Sequence, residues 1–229
     1  MITLTAQMRI QGENPLPFKL GVSELGGGAL FGETIYEEVN FDRRNLLSLE
    51  SEVKDRADID KPSFGIISTG GSLSFKDTTS RFLNYANAGL LTEGIEIKIF
   101  LENTVKKTKK QVGQYYTTDW DYDNDSRSVD VSFKDDLEEW QNTTVSQYNF
   151  VDSQYMIDYL QEILNKYIPE KSLCKISESA KTRLNTTYCK YPYFDSDRSL
   201  WQYIEKICKI CGLYAHKDGE GYLVFSSEF

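Results

Sequence analysis

Ile2, Leu4, Ala6, Met8 and Ile10 alternate with more polar positions at the start of the chain, and this period of two predicts a strand with one buried face. Gly12, Asn14, Pro15 and Pro17 then predict a turn. Gly26, Gly27 and Gly28 break the chain before a mixed, strand-like pattern over residues 35–41, and residues 45–59 are charged and weakly patterned. Residues 64–68 and 71–75 are two short β-prone runs, and the Gly70-Gly71 pair between them predicts a hairpin. Asp77 opens a short helix carrying Arg81, Phe82, Tyr85 and Ala86 at helical spacing, with Gly89 placed to end it. From Gly94 the alternation is clearest: Ile95, Ile97, Ile99 and Leu101 share one face, residues 104–110 form a turn with four lysines, and residues 112–118 return. Residues 121–126 turn again and Val129, Val131 and Phe133 alternate with Asp130, Ser132 and Lys134, so the segment predicts a three-stranded antiparallel meander ending in a short acidic stretch before Trp140.

After Trp140 the polar residues 141–147 read as a connector, and the hydrophobic period changes from two to 3.6. Asp152 or Ser153 can cap a helix whose inner stripe is Met156, Ile157, Leu160, Ile163, Leu164 and Tyr167, with Pro169 as its stop. A second helix follows more plainly. Ser199 and Gln202 match a capping box, Leu200, Trp201, Ile204, Ile207, Cys208 and Cys211 form its stripe, and Gly212 ends it. Residues 213–215 and 222–225 then flank Asp218-Gly219-Glu220-Gly221, a hairpin signature in which glycine supplies positive φ. The pattern predicts an α+β protein: a β-rich domain over residues 1–145, and a smaller α+β domain of two helices and a terminal hairpin over residues 146–229.

Length, at 229 residues, and 40% apolar content supply enough surface for a packed core. Thirty-five acidic against 26 basic residues leave a net charge of −9, a field that repels phosphate backbones and anionic lipid and argues against a nucleic-acid-binding role. No stretch approaches the ~18 consecutive apolar residues of a spanning helix, and the first residues alternate instead of forming the apolar run of a signal peptide. Cys174, Cys189, Cys208 and Cys211 all fall in the last quarter of the chain, unlike a disulfide framework, and are expected as free thiols of a reducing cytoplasm. His216 is the single histidine, which removes most zinc sites and most histidine-dependent acid–base schemes. No catalytic, cofactor-binding or metal-binding residue is predicted, and no cofactor.

Each feature that could carry chemistry has a plainer reading. Asp121, Asp123 and Asp125 have the alternate spacing of a calcium loop, yet Ser126 stands where that loop needs glycine and Ser132 where it needs a bidentate glutamate; an Asp/Asn-rich turn is the better reading. Cys208-x-x-Cys211 has redox or half-zinc spacing, which Cys174 and Cys189 could complete, but the pair sits on an apolar helical stripe and reads as buried small hydrophobes. Gly26, Gly27 and Gly28 lack the Gly-Lys-Ser/Thr of a phosphate loop. Lys106, Lys107, Lys109 and Lys110 could touch phosphate, an acidic protein or a neighbouring subunit, or simply keep an exposed β edge soluble. Tyr115-Tyr116 and Trp120-Tyr122 could stack sugars, although aromatics are also good strand formers. A carboxylate-only hydrolase would need two convergent acids, and no spacing singles out a pair.

Taken together, FKDTTSRFLNYANAGLLTEGIEIKIFL, VGQYYTTDWDYDNDSRSVDVSFKDDLEEW, the helix MIDYLQEILNKY and SLWQYIEKICKICGLYAHKDGEGYLVF resemble the N-terminal part of tail hub proteins of tailed bacteriophages. That family includes baseplate hubs of contractile tails and tail-associated proteins of siphophages. The resemblance covers residues 64–229. It implies an antiparallel β-barrel-like tube domain followed by a smaller α/β domain, and a homotrimer that adapts the sixfold tail tube to a threefold tip. Its implied partners are the tail tube or distal tail protein and a tip or spike, with DNA only as passing cargo. Its implied place is the virion tail tip, after synthesis in the host cytoplasm. Known hubs continue with a second β-barrel, so a shortened hub or a fragment is expected. The competing expectation is a carbohydrate-binding β module for host-surface attachment.

Overall fold

The computed structural model of the chain describes residues 2–11, 36–42, 44–55, 64–145, 154–168, 174–189 and 198–228. The expected turn at residues 12–17, the break at Gly26, Gly27 and Gly28, the cap at Asp152 or Ser153, and Pro169 all lie outside these residues. Twelve strands and five α-helices make up the described residues, so the protein mixes both kinds of element. The chain forms two compact units: the first is Met1–Leu49, Ser72–Lys110 and Tyr116–Phe133, and the second is Glu50–Gly71, Gln111–Tyr115 and Lys134–Phe229.

In the first unit, β1 (Ile2–Gln11) lies between two antiparallel partners. β2 (Tyr36–Phe41) sets Val39 opposite Met8, and β5 (Glu96–Asn103) sets Ile97 opposite the same methionine and Ile99 opposite Ala6. Because side chains alternate across a strand, Ala6, Met8, Ile10, Ile97 and Ile99 all fall on the buried face. The same face ends in the open, where Leu4 and its cross-strand partner Leu101 remain 42% and 39% exposed. Ile95, Ile97 and Ile99 are buried, whereas Leu101, the last of the alternating aliphatic residues, is not.

β6 (Thr108–Asp123) and β7 (Ser128–Lys134) follow β5 in order, as the meander predicts. Their connections, residues 104–107 and 124–127, are four residues long, which only antiparallel neighbours allow. Both turns are shorter than expected, because Lys109, Lys110, Asp121 and Asp123 stay on the ladder. β4 (Gly65–Lys76) corrects another expectation: it is one strand of 12 residues, with no hairpin at Gly70-Gly71. Neither glycine has positive φ, and the pair falls where the chain passes from one unit to the other. Ile66, Ile67 and Ser68 are buried in succession, whereas beyond the glycines only Leu73 and Phe75 point inward. β3 (Leu46–Asp55) pairs with β4. α1 (Arg81–Asn87) is the expected short helix, and its Phe82 packs on Phe75 and Phe41 at centroid distances of 4.6 and 5.8 Å.

In the second unit, the start of β4 takes β11 (Tyr214–Lys217) as a parallel neighbour. β11 pairs antiparallel with β12 (Leu223–Ser226), and β12 pairs parallel with β9 (Cys174–Ile176). α3 (Met156–Tyr167), α4 (Glu178–Thr186) and α5 (Leu200–Cys211) share one apolar core with this sheet. A short ribbon joins β8 (Gln154–Tyr155) to β10 (Tyr188–Cys189), and α2 (Glu139–Asn142) buries Trp140. The expected stripes bury Met156, Ile157, Leu160, Ile163 and Leu164 on α3, and Leu200, Ile204, Ile207, Cys208 and Cys211 on α5. Tyr167 and Trp201 are only partly buried, and Tyr159 joins the α3 stripe. The α5 capping box is present in both directions, and Gly212 closes the helix at φ 66°. α4, capped by the Ser177 hydroxyl, was not expected.

Candidate functional site

Three hairpin turns share one local device, a side-chain oxygen at the turn entrance that accepts backbone N–H groups of the turn itself. Asn103 Oδ1 accepts from Val105 and Lys106 at 3.1 Å each. Asp123 Oδ1 accepts from Asp125 at 2.9 Å and from Ser126 at 3.4 Å, while its Oδ2 accepts from the Ser126 hydroxyl at 2.6 Å. Asp218 Oδ1 accepts from Glu220 and Tyr222 at 2.9 Å each. The first two turns close alike, with Lys107 and Arg127 both at φ 52°.

The turn at residues 104–107 is exposed, with Val105 78% accessible at its centre. Lys106, Lys107 and Lys110 are exposed around it, and Lys109 places its ammonium 4.0 Å from the centre of the Phe100 ring. At the far end of β6, Asp119, Asp121, Asp123 and Asp125 are exposed. The three aspartates of the calcium-like spacing are not brought together: Asp121 and Asp123 are on the strand and Asp125 is in the turn. The Ser126 hydroxyl and the backbone N–H groups of Asp125 and Ser126 hold the Asp123 carboxyl below its ordinary range. That oxygen set is spent on the turn.

The aromatic residues of β6 are likewise engaged. Tyr115 is buried. Trp120 stacks on Phe82 at 6.3 Å and donates its indole N–H to the Thr92 carbonyl at 3.0 Å. The Tyr122 hydroxyl donates to Asp77 at 3.5 Å, and burial together with the Asp77 charge pushes its pKa up. The more open aromatic pair is one the sequence reading passed over: Tyr155 and Tyr188, directly opposite on the β8–β10 ribbon, meet edge to face at 5.3 Å and are 48% and 54% exposed.

Buried carboxylates serve the fold. In the first unit, Asp77 accepts from the backbone N–H groups of Arg81, Phe82 and Leu83 at 2.9–3.1 Å, tying down the first turn of α1. In the second, Asp135 accepts from Thr69 N–H and hydroxyl, the Ser68 hydroxyl and Leu137 N–H. Burial pushes the Asp135 carboxyl up against those bonds. Cys208 and Cys211 are buried, and burial raises both thiols. Cys174 lines an apolar pocket of about 300 Å³ with Leu164, Ile168, Ile176, Gln161 and Asn165, where burial pushes its thiol up to about 11. Thiols so placed are poor nucleophiles at neutral pH. Among the described residues no three histidine, cysteine or acidic side chains converge as a metal site, and no helix is long and apolar enough to cross a membrane.

No protein-family model matches the chain, and no curated protein sequence does. Solved structures do. A 43 kDa tail protein of prophage MuSo2 from Shewanella oneidensis aligns over 99% of this chain with a TM-score of 0.50 and 10% identity. A tail protein from Neisseria meningitidis MC58 aligns over 77% of the chain with a TM-score of 0.46 and 13% identity. This chain spans 55% and 49% of their respective lengths. At such identity the likeness is one of fold.

Proposed function

We propose that the protein is a structural component of a bacteriophage tail, a ring-forming hub subunit that joins the tail tube to the distal tip. The observation that carries this reading is the fold shared along nearly the whole chain with the prophage tail protein. The character of the surface supports it. Charged hairpin tips are exposed, buried carboxylates are consumed by backbone N–H groups, and the buried thiols are held protonated. In the finer form of the proposal, the first unit builds a barrel-like tube wall as a homotrimer. Its partners are the tail tube or distal tail protein and a tip or spike, with DNA as passing cargo along an acidic surface that does not hold it. No enzymatic step belongs to this role.

Mass spectrometry of purified virions and of separated tails, from the strain encoding the chain, tests it. The reading expects the protein in tails, at a stoichiometry that is a multiple of three. Its absence from particles overturns the proposal. A second reading, a carbohydrate-binding module for host attachment, is favoured by the exposed Tyr155–Tyr188 pair, since tyrosine faces can stack on sugars. Glycan-array binding that disappears in Y155A/Y188A would support it.

A further inference from the structure

We infer that the two ends of β6 are complementary faces of one head-to-tail contact, in which the lysine tip of one copy seats on the aspartate end of the next. Residues 102–110 hold four lysines and one glutamate, whereas residues 119–130 hold five aspartates and one arginine. Eight residues of the same strand, 111–118, separate the two stretches, about 26 Å of chain at 3.3 Å per residue. Opposite charges so separated along one strand have no means of satisfying each other within β6, yet they match between copies.

The lysine end has more than charge to offer. Val105 is 78% exposed, and Leu4 and Leu101, paired across β1 and β5, leave the apolar face of the sheet open close to the entrance of the same turn. Exposed aliphatic residues and lysines at one end of the hairpin are the two ingredients of an interface, an apolar core and a charged rim. At the other end, Asp123 is committed to its own turn and Asp119 accepts from the Trp120 N–H. Asp121, Asp125 and Asp130 are exposed around them, and Arg127 is the one basic residue within residues 119–130. In a chain of net charge −9 a lysine cluster finds its complement on another copy, and the pattern of charge in the partner fixes which region it meets. Because the two faces differ, the contact is heterologous, and it generates a ring when the rotation closes. It therefore rests on the ring-forming reading above and names the surfaces that would form the ring.

Charge reversal at each end of β6 tests the contact, read by sedimentation equilibrium across ionic strength, with circular dichroism to verify folding. Wild type is expected to self-associate, and more weakly as salt shortens the range of the charges. K106E/K107E/K110E and D121K/D125K are each expected to associate at least about tenfold more weakly, because both ends then carry one sign. An equimolar mixture of the two variants restores association, since each then offers what the other lacks. A wild type monomeric at low salt, reversals without effect, or a mixture that stays monomeric would each overturn the inference. Tail incorporation separates the two proposals. Protein found in tails but indifferent to reversal sinks the contact alone, and a charge-dependent oligomer absent from tails sinks the tail reading alone.

Discussion

The hairpin turns at residues 104–107 and 218–221 are made by the same local chemistry and differ in what surrounds them. In both, a side-chain oxygen at the entrance, Asn103 or Asp218, satisfies two N–H groups of the turn. The first is open to solvent around Val105. The second is pressed against the backbone of β6: a Cβ on Gly219 would lie 2.8 Å from Val112 Cα and 2.9 Å from the Gln111 carbonyl oxygen. Asp218 is also bound by Lys175 at 2.8 Å, whose ammonium lies 3.6 Å from the centre of the Tyr222 ring. Identical turn chemistry thus serves packing in one place and leaves a free surface in the other. Turn type alone does not indicate role; the neighbours do.

The sharpest break in this comparison is Gly219→Val, which drives a side chain into fixed backbone. It should cost about 3 kcal/mol in urea unfolding, whereas Val105→Gly in the open turn should be close to neutral. Asp218→Ala comes next. It orphans two N–H groups and leaves Lys175 with Glu220 as its carboxylate partner, and should cost about 1 kcal/mol, reduced by the water that reaches the site. Burial raises the Asp218 carboxyl, but the Lys175 hydrogen bond and the N–H groups of Tyr222 and Glu220 outweigh it and hold the pKa down. A depressed folded pKa gives stability that is present above the unfolded value and lost as pH falls through the folded one. Acid denaturation of Asp218→Asn should therefore be less steep than that of wild type below about pH 4.

His216, on β11, sharpens the same contrast over another pH range. Burial lowers its pKa against the opposing Asp218 charge, so the unfolded chain binds the proton more readily. Stability should fall as pH drops below the ordinary histidine value of about 6.5. As the chain's one histidine, it gives a single NMR titration that reports its folded pKa directly. A midpoint at or above the ordinary value would refute the burial argument. The smallest effect belongs to Asn103→Ala, expected to cost under about 0.5 kcal/mol because water can replace the lost bonds at an exposed turn.

Where period decided structure, the sequence was legible. Ile95 through Phe133 announced the meander, and Ser199, Gln202 and Gly212 announced both ends of α5. Gly70-Gly71 misled, because glycine permits a turn without demanding one, and β4 runs straight through. α4 was hidden by its weak stripe, since only Ala180 and Leu184 face inward, although Ser177 offered a cap signal. The parallel pairings of β11 with β4 and of β12 with β9 join residues far apart in the chain, and no local pattern encodes them. Asp121 and Asp123 misled as that glycine pair did, because aspartate favours a turn without demanding one: β6 runs through both, and only Asp125 lies in the turn. The exposed Tyr155–Tyr188 pair was missed because two-residue strands are too short to show a period.

The stack of Trp120 on Phe82, with its indole N–H held by Thr92, also equips the molecule with an optical probe. Trp120 is the one tryptophan of the first unit, whereas Trp140 and Trp201 belong to the second. Fluorescence of a Trp120→Phe variant would follow only the second unit, and of a Trp140→Phe/Trp201→Phe variant only the first. Their two melting curves would coincide if the units unfold as one and separate if they do not.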